Sequence, residues 1–373
     1  MKALHSLHII TELFPPEETS TAYILGEIAN ACAGEYAVQV ICGPEVYDRR
    51  RLQDKAHPFV LNPAIRVHRA KGLGVDKNRT LGKLLSLLVM SFRLFRLAKR
   101  QVKKGDKVLL VTNPAPLLLL MARLRRRRRF DLTLLVHDVY PENIVPARVH
   151  LPGCLYRRLK CRFDRAYACI DRFIVNGRDV AEVVRAKAGE SAYISDVEHW
   201  ADTQDIVPLP FPEGPFKLEF AGNIGRLQAL DRRVAELPPD VELHIYGTGA
   251  MERALRKLHH PRVFFHGPYL RSQQTEVLGA CHAAIVSLAD GMYGLAVPSK
   301  AYNIMASGRP ILYFGPEGSE IGRLVREEGI GYIGWPSYWD LAELQKMGRR
   351  ARLLAETRFG KAAMLEKFME ALG

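Results

Sequence analysis

Long apolar runs are missing from this sequence. The two longest, residues 84–92 and 114–122, fall well short of the roughly 20 apolar residues that a membrane-crossing helix needs. A leader pattern is missing too. The short apolar string SLHII is soon broken by Glu12, Pro15 and Pro16, and acidic residues follow. Cysteine is sparse, with six in 373 residues, none paired as C-x-x-C and none beside a histidine at metal-ligand spacing. Cys32, Cys42, Cys154, Cys161, Cys169 and Cys281 are therefore expected to be buried free thiols in a reducing compartment, and no zinc site is expected. A cytosolic protein, or one peripheral to a membrane, follows as the expectation.

What is present is an ordinary globular composition, 48% hydrophobic and 25% charged, in a chain long enough for two domains. The placement of charge is less ordinary. Residues 1–200 hold 34 Lys and Arg against 20 Asp and Glu, whereas residues 201–373 hold 20 of each. The whole formal +14 thus lies in the first half, which suggests that this half meets a polyanion: a membrane surface, a nucleic acid or a phosphorylated acceptor. No nucleic-acid module or interleaved aromatic platform accompanies the charge, so a nucleic-acid partner is not expected.

Short apolar runs alternate with amphipathic segments, the signature of stacked βαβ units and parallel sheets. SLHII and YAVQVICG read as strands around a helix that starts near Ser20. KVLLVTNPAP, FDLTLLVHDVYPE and DRFIVNG continue the series. A second series comprises FKLEFAGNIG, VELHIYGTG, RVFFHGPY, AAIVSLA and PILYFGP, with helices expected over residues 251–258 and 272–281. The join is placed in residues 203–215, which contain four prolines. Domains are expected over residues 1–200 and 205–354, with a final helical stretch, 355–373, that can pack back on the first. Ligands of such sheets bind at the carboxyl ends of the strands.

Two strings there carry chemistry. In ELFPPEETSTAYILGEIA a Pro-Pro turn leads into Thr19, Ser20 and Thr21 at a helix N-terminus, where amides and hydroxyls can hold an anion; an ordinary capped helix has the same residues. In GLAVPSKAYNIMASGRPIL, Pro298 suits a first helical turn, and Gly308 with Pro310 ends the helix. Ser299, Lys300 and Asn303 then lie on or near one face of it. A hydroxyl, an ammonium and a helix N-terminus suit a diphosphate, although a surface helix with a solvated lysine fits the same spacing.

The strings FPPE, FAGNIG, YGTGAMERAL, FFHGPYLRSQQ and VPSKAYNIMASGRPIL stand in the order of the retaining family-4 GT-B glycosyltransferases, and the chain resembles that family over nearly its whole length. GNIGRLQALD and VPSKAYNIMASGRP resemble in particular the bacterial branch that adds sugars such as N-acetylfucosamine during O-antigen, capsule and exopolysaccharide assembly. The resemblance implies an α/β, GT-B fold, two Rossmann-like doubly wound domains facing a central cleft. It also implies a hexosyl or N-acetylhexosaminyl transferase that takes a nucleoside-diphosphate sugar, UDP type favoured, and a lipid-linked glycan acceptor. It implies retention at the anomeric carbon without a metal or other cofactor, the leaving phosphate helping to deprotonate the acceptor.

Site roles carry over residue by residue. Family enzymes place Arg and Lys where Asn223 and Gln228 stand here, so Arg226 and Lys300 are the candidates to neutralise the diphosphate. The helix position that usually binds the donor ribose is Asn303 rather than Glu; an amide makes the same kind of hydrogen bond more weakly. Gly247, Tyr269, Leu270, Pro298 and Ser299 complete the expected donor site, Tyr269 and Leu270 framing the base through backbone groups. LLVHDVYPE resembles the strand whose end meets the sugar, making His137 and Asp138 the catalytic candidates; a simple tie between the strand end and Tyr140 remains open. Thr19, Ser20 and Thr21 are assigned to the acceptor side.

The basic amphipathic stretches LGKLLSLLVMSFRLFRLAKRQVKK and LYRRLKCRFDRAY, with the run Arg125–Arg129, are expected to rest on anionic lipid at the cytoplasmic face of the cell membrane. Two other readings share the fold: a nucleotide-sugar epimerase, and a GT-B subunit that binds without turnover, which Asn223, Gln228 and Asn303 make plausible.

Overall fold

The computed structural model describes residues 5–45, 54, 56–72, 80–149 and 151–373. The chain forms two compact units: residues 1–144, 150–197 and 365–373 make the first, and residues 145–149 and 198–364 the second.

In the first unit the elements run β1 (Ser6–Ile10), α1 (Ser20–Cys32), β2 (Ala37–Cys42), β3 (Arg66–Arg69), α2 (Thr80–Gln101), β4 (Lys107–Val111), α3 (Ala115–Arg128), β5 (Asp131–Val136), α4 (Gly153–Tyr167), β6 (Arg172–Val175), α5 (Arg178–Ala188) and β7 (Ile194–Asp196). All seven strands are parallel, in the order β3-β2-β1-β4-β5-β6-β7. Leu7, Ile9 and Ile10 of β1 and Val108–Val111 of β4 are buried, as strands covered on both faces must be. The strand order reverses between β1 and β4. There the following loops meet, the Glu12 amide donating to the Asn113 carbonyl at 3.2 Å.

The second unit repeats the scheme with β8 (Phe216–Ala221), α6 (Leu230–Ala235), β9 (Val241–Tyr246), α7 (Glu252–Arg256), β10 (Val263–Gly267), α8 (Gln274–Gly279), β11 (Ala283–Ser287), α9 (Lys300–Ala306), β12 (Ile311–Phe314), α10 (Glu320–Glu328), β13 (Gly331–Ile333) and α11 (Leu341–Thr357). The strand order is β10-β9-β8-β11-β12-β13, again all parallel, and it reverses between β8 and β11. Leu218, Phe220, Leu243, Ile245, Ile285 and Leu312 form its core on one face of the sheet. A last helix, α12 (Lys361–Leu372), begins in this unit and ends in the first, where Cys32 Sγ lies 3.4 Å from Met369 Sδ.

Some details depart from the sequence reading. Strands β3, β7 and β13 are short outer strands of three or four residues, and β3 reads RVHR, without an apolar run to announce it. Helix α9 begins at Lys300 with Ser299 as its N-cap, two residues after Pro298. The expected helix at 272–281 is a 3-10 turn, Arg271–Gln273, followed by α8. Of the six thiols, Cys32, Cys42 and Cys281 are buried, but Cys154 and Cys161 are exposed and Cys169 is half-buried. The exposed pair sits on the outer face of α4, whose cationic neighbours rather than its cysteines follow the amphipathic pattern. Among the described residues, no helix is long and apolar enough to cross a membrane.

An ion cluster around buried Lys187 stiffens the first unit. Lys187 of α5, only 3% exposed, donates to Glu142 at 2.7 Å and to Asp164 at 2.6 Å, while Lys160 reaches the same two carboxylates at 3.1 and 2.8 Å. Burial would raise the Asp164 pKa, but the hydrogen bonds from Lys160 and Lys187 outweigh it and hold the carboxyl below its ordinary range. A carboxyl depressed in the folded state stabilises above its unfolded pKa, and that contribution disappears as pH falls through the folded value. Lys187→Met should cost about 2–3 kcal/mol at neutral pH, less than for a fully buried pair because Asp164 keeps some solvent contact. It should also move acid unfolding to higher pH. Urea denaturation at pH 7 and pH 4 checks both, and an unchanged acid midpoint would place the sensitivity elsewhere.

Candidate functional site

The second unit builds its candidate site from the loops after β8 and β9. Gly222 N donates to Tyr246 O, Ile224 N to Thr248 O and Met251 N to Ile224 O, each at 2.9 Å, so the two loops lie directly against one another. Glycine is required for this approach. Gly247 has φ +123°, and a Cβ there would stand 2.0 Å from Gly222 O; one at Gly249 would stand 2.2 Å from Ile224 O. The loop after β11 joins them through Ala289 N to Leu227 O, 2.7 Å.

Lys300, the first residue of α9, reaches this junction. Its Cδ lies 3.9 Å from the point a Gly222 Cβ would occupy, and its Nζ sits 3.2 Å from the centroid of the Phe220 ring. The side chain as a whole keeps some exposure, but Nζ itself is buried and has no hydrogen-bond partner. Glu219, in the middle of β8, is also buried, with neither carboxylate oxygen bonded in ordinary geometry and the Cys281 thiol alongside. Burial pushes the Lys300 ammonium down to about 7 and the Glu219 carboxyl up to about 8, each resisted by the charge of the other. An anion delivered to Lys300 Nζ would supply the missing partner and favour its charged form.

The remaining donor candidates are distributed around this point. Asn223 and Arg226 are exposed on the loop after β8, and Gln228 closes that loop by accepting from Gly225 N at 3.0 Å. Pro298 and Ser299 are partly exposed just before α9, and the Ser299 hydroxyl makes no capping bond. Tyr269 packs edge-on against Tyr246 at 6.2 Å, and burial raises the pKa of its phenol. The Leu270 amide is taken by Gln273 Oε1 at 2.9 Å. Asn303 lies one turn beyond Lys300 and accepts the Asp202 amide at 3.3 Å on its Oδ1, so its oxygen is already engaged within the unit.

In the first unit His137 and Asp138 follow β5, and Thr112 Oγ1 accepts both of their amides at 3.2 Å. Asn113 donates to Asp138 Oδ2 at 3.1 Å and accepts from the Tyr140 hydroxyl at 2.9 Å. Asp138 is thus tied to Tyr140 through Asn113. Burial raises the Asp138 pKa against the opposing Asn113 bond, which makes the carboxylate a better proton acceptor than an exposed one. Burial drives the His137 imidazole down to about 4, so at neutral pH it is an uncharged hydrogen-bonding group. Thr19 caps α1 by accepting from Ala22 N at 3.0 Å; Ser20 is exposed and Thr21 half-buried.

No model of a known protein family matches the chain. It is 30% identical over 347 residues to the probable glycosyltransferase WbjE of Pseudomonas aeruginosa, across 87% of this chain and 84% of that one. The chain belongs to the GT-B glycosyltransferases. Solved structures share the fold at low identity. Sucrose-phosphate synthase from Thermosynechococcus elongatus superposes with a TM-score of 0.74 at 14% identity, covering 98% of both chains. Anabaena HepE in complex with UDP-glucose gives 0.62 at 14%, covering 99% of both. WaaG, a glycosyltransferase involved in lipopolysaccharide biosynthesis, gives 0.61 at 13%, covering 98% of this chain and 99% of its own.

Within this glycosyltransferase, sequence reasoning passed over Thr112 and Asn113, which fix His137 and Asp138, and Glu219, the carboxyl nearest in chemistry to Lys300. A Glu interrupting the apolar string FKLEFA was a visible signal for the last. The buried histidine gives a pH expectation. The unfolded chain protonates His137 at the ordinary 6.5 and the folded chain at about 4, so stability declines as pH falls across that window. His137→Asn should remove about 1–2 kcal/mol of this acid loss, a figure discounted because the ring keeps partial solvent contact. Melting temperatures from pH 7 to pH 4.5 check it; a decline parallel to that of the parent would assign the loss to other groups.

Proposed function

We propose that this glycosyltransferase moves a hexosyl or N-acetylhexosaminyl group from a UDP-type sugar to a lipid-linked saccharide during bacterial surface-polysaccharide assembly, with retention and without a metal. The observation that carries the donor half is Lys300: a buried ammonium without a hydrogen-bond partner, at the strand ends where a doubly wound sheet binds ligands. Support for UDP comes from HepE, solved with UDP and with UDP-glucose. WbjE and WaaG support a role in glycan assembly.

The transfer must stabilise negative charge on the departing diphosphate. Lys300 would supply the charge where water is excluded, assisted by exposed Arg226 and by the Ser299 hydroxyl. Asn303 would face the ribose through its amide nitrogen, and the backbone at Tyr269 and Leu270 would border the base. His137 would hydrogen-bond a sugar hydroxyl, Asp138 would orient a group or accept the acceptor proton, and Thr19, Ser20 and Thr21 would border the acceptor. Lys300→Ala should weaken UDP binding by about 1.5–3 kcal/mol, roughly 10- to 150-fold, the usual loss of a charge-assisted contact. Unchanged affinity by calorimetry, with the variant folded, would remove the diphosphate from this helix.

The acceptor half of the proposal places the first unit on anionic lipid. Leu84, Leu85, Leu88 and Phe92 of α2 and Leu155 of α4 are exposed, and Arg96, Lys99, Arg100, Arg157, Arg158 and Arg162 are exposed on the same two helices. Helix α3 packs against both. Its arginine run divides, Arg125 pairing with Asp171 and Arg128 donating to the Lys99 and Val102 carbonyls at 2.6 Å, while Arg127 and Arg129 stay exposed. Leu81 and Lys83 of the amphipathic string lie outside the described side chains. Each cation beside an anionic surface contributes about 1 kcal/mol, screened over roughly 8 Å at physiological salt. Reversing Arg96, Lys99 and Arg100 to Glu should release the protein from anionic liposomes while leaving UDP binding intact. Equal sedimentation with neutral and anionic vesicles would count against the lipid surface.

A further inference from the structure

The stretch by which the chain enters the second unit, residues 198–210, is fastened to the donor helix at successive points. Arg352 donates to the carbonyls of Thr203, Ile206 and Ala306 at 3.1, 2.8 and 2.6 Å. Arg309, fully buried just after α9, donates to Pro210 O at 2.9 Å and Gly279 O at 2.8 Å. Asp202, 6% exposed, directly precedes the first of these anchors.

Three hydrogen bonds of Asp202 bear on the donor site. Its amide donates to Asn303 Oδ1 of α9 at 3.3 Å, its Oδ1 accepts the Trp200 indole at 3.2 Å, and its Oδ2 accepts Arg271 Nη2. Arg271 directly follows Tyr269 and Leu270, the residues assigned to the base, and Asn303 lies one turn beyond Lys300, assigned to the diphosphate. One residue therefore connects the two ends of the nucleotide site, its backbone amide holding Asn303 and its carboxylate holding Arg271. Its ion pair is largely shielded, with the Arg271 side chain 24% and the Asp202 side chain 5% exposed. Removing one partner leaves the other charge poorly compensated.

We infer that Asp202 is a positioning residue of the donor site, holding the loop after β10 and the donor helix α9 in the spacing that a nucleoside diphosphate spans. It acts through Arg271 and Asn303 rather than by touching the nucleotide. The inference rests on the donor site proposed above.

Calorimetric titration of the full chain with UDP tests it. Asp202→Asn and Arg271→Gln should each weaken UDP about tenfold, the scale of a lost charge-assisted contact, and the double variant should lose no more than either alone. Arg271→Lys, which keeps the charge, should recover most of the affinity. Unchanged UDP affinity in a folded Asp202→Asn, or additive losses in the double variant, would overturn the positioning role. Should Asp202→Asn fail to fold, Arg271→Gln carries the same expectation against Arg271→Lys, and equal losses in these two overturn it. A parent protein that does not bind UDP removes the donor reading and this inference together. Loss of binding in Lys300→Ala with none in the folded Asp202 and Arg271 variants removes this inference alone.

Discussion

An ammonium group withdrawn from water and left without a hydrogen bond is costly, and Lys300 holds its Nζ in that condition at the carboxyl end of β8. Much of the second unit is arranged around it. The Phe220 ring gives the cation a face to rest on, the stem runs past Gly222, and Gly247 and Gly249 let the β8 and β9 loops close to hydrogen-bonding distance. Burial lowers the affinity of Lys300 for its proton, and a bound diphosphate would reverse that shift. The free-energy gain on binding an anion is then larger than a solvated lysine would give, because less hydration remains to be lost.

The same architecture serves the two units differently. Each sheet reverses its order at one point, between β1 and β4 and between β8 and β11, and each gathers polar groups on the loops beyond. In the first unit these are Thr112, Asn113, His137 and Asp138, bonded to one another, with the His137 imidazole uncharged at physiological pH: a hydrogen-bonding surface suited to sugar hydroxyls. In the second they are a cation and glycine-opened backbone, suited to phosphate. The basic surplus of residues 1–200 belongs to helices α2, α3 and α4, away from either set of strand ends in sequence, which separates the charge proposed to meet lipid from the charge proposed to meet the donor.

Much of this was legible because parallel strands buried on both faces announce themselves as apolar runs, and because the turn glycines and prolines fall at their ends. The short outer strands were not, since RVHR at β3 carries no such run. Lys300 could be singled out by its place at a helix start, but its isolation from hydrogen-bond partners could not, because that depends on Phe220 and Gly222 from a strand some eighty residues earlier. Asn303 was read from its helical offset to Lys300; that its oxygen meets the Asp202 amide is a long-range fact that no periodicity encodes. The exposed Cys154 and Cys161 show the same limit, for a thiol's burial follows the helix face it lands on rather than its chemistry.

Hydrogen exchange of the backbone amides with and without UDP tests the central claim most directly, since it reports where the nucleotide sits. Protection should appear in residues 222–226, 247–251 and 298–303 of the second unit and not in residues 137–143 of the first. Protection confined to the first unit, or a uniform slowing with no focus at these loops, would contradict a donor site built around Lys300.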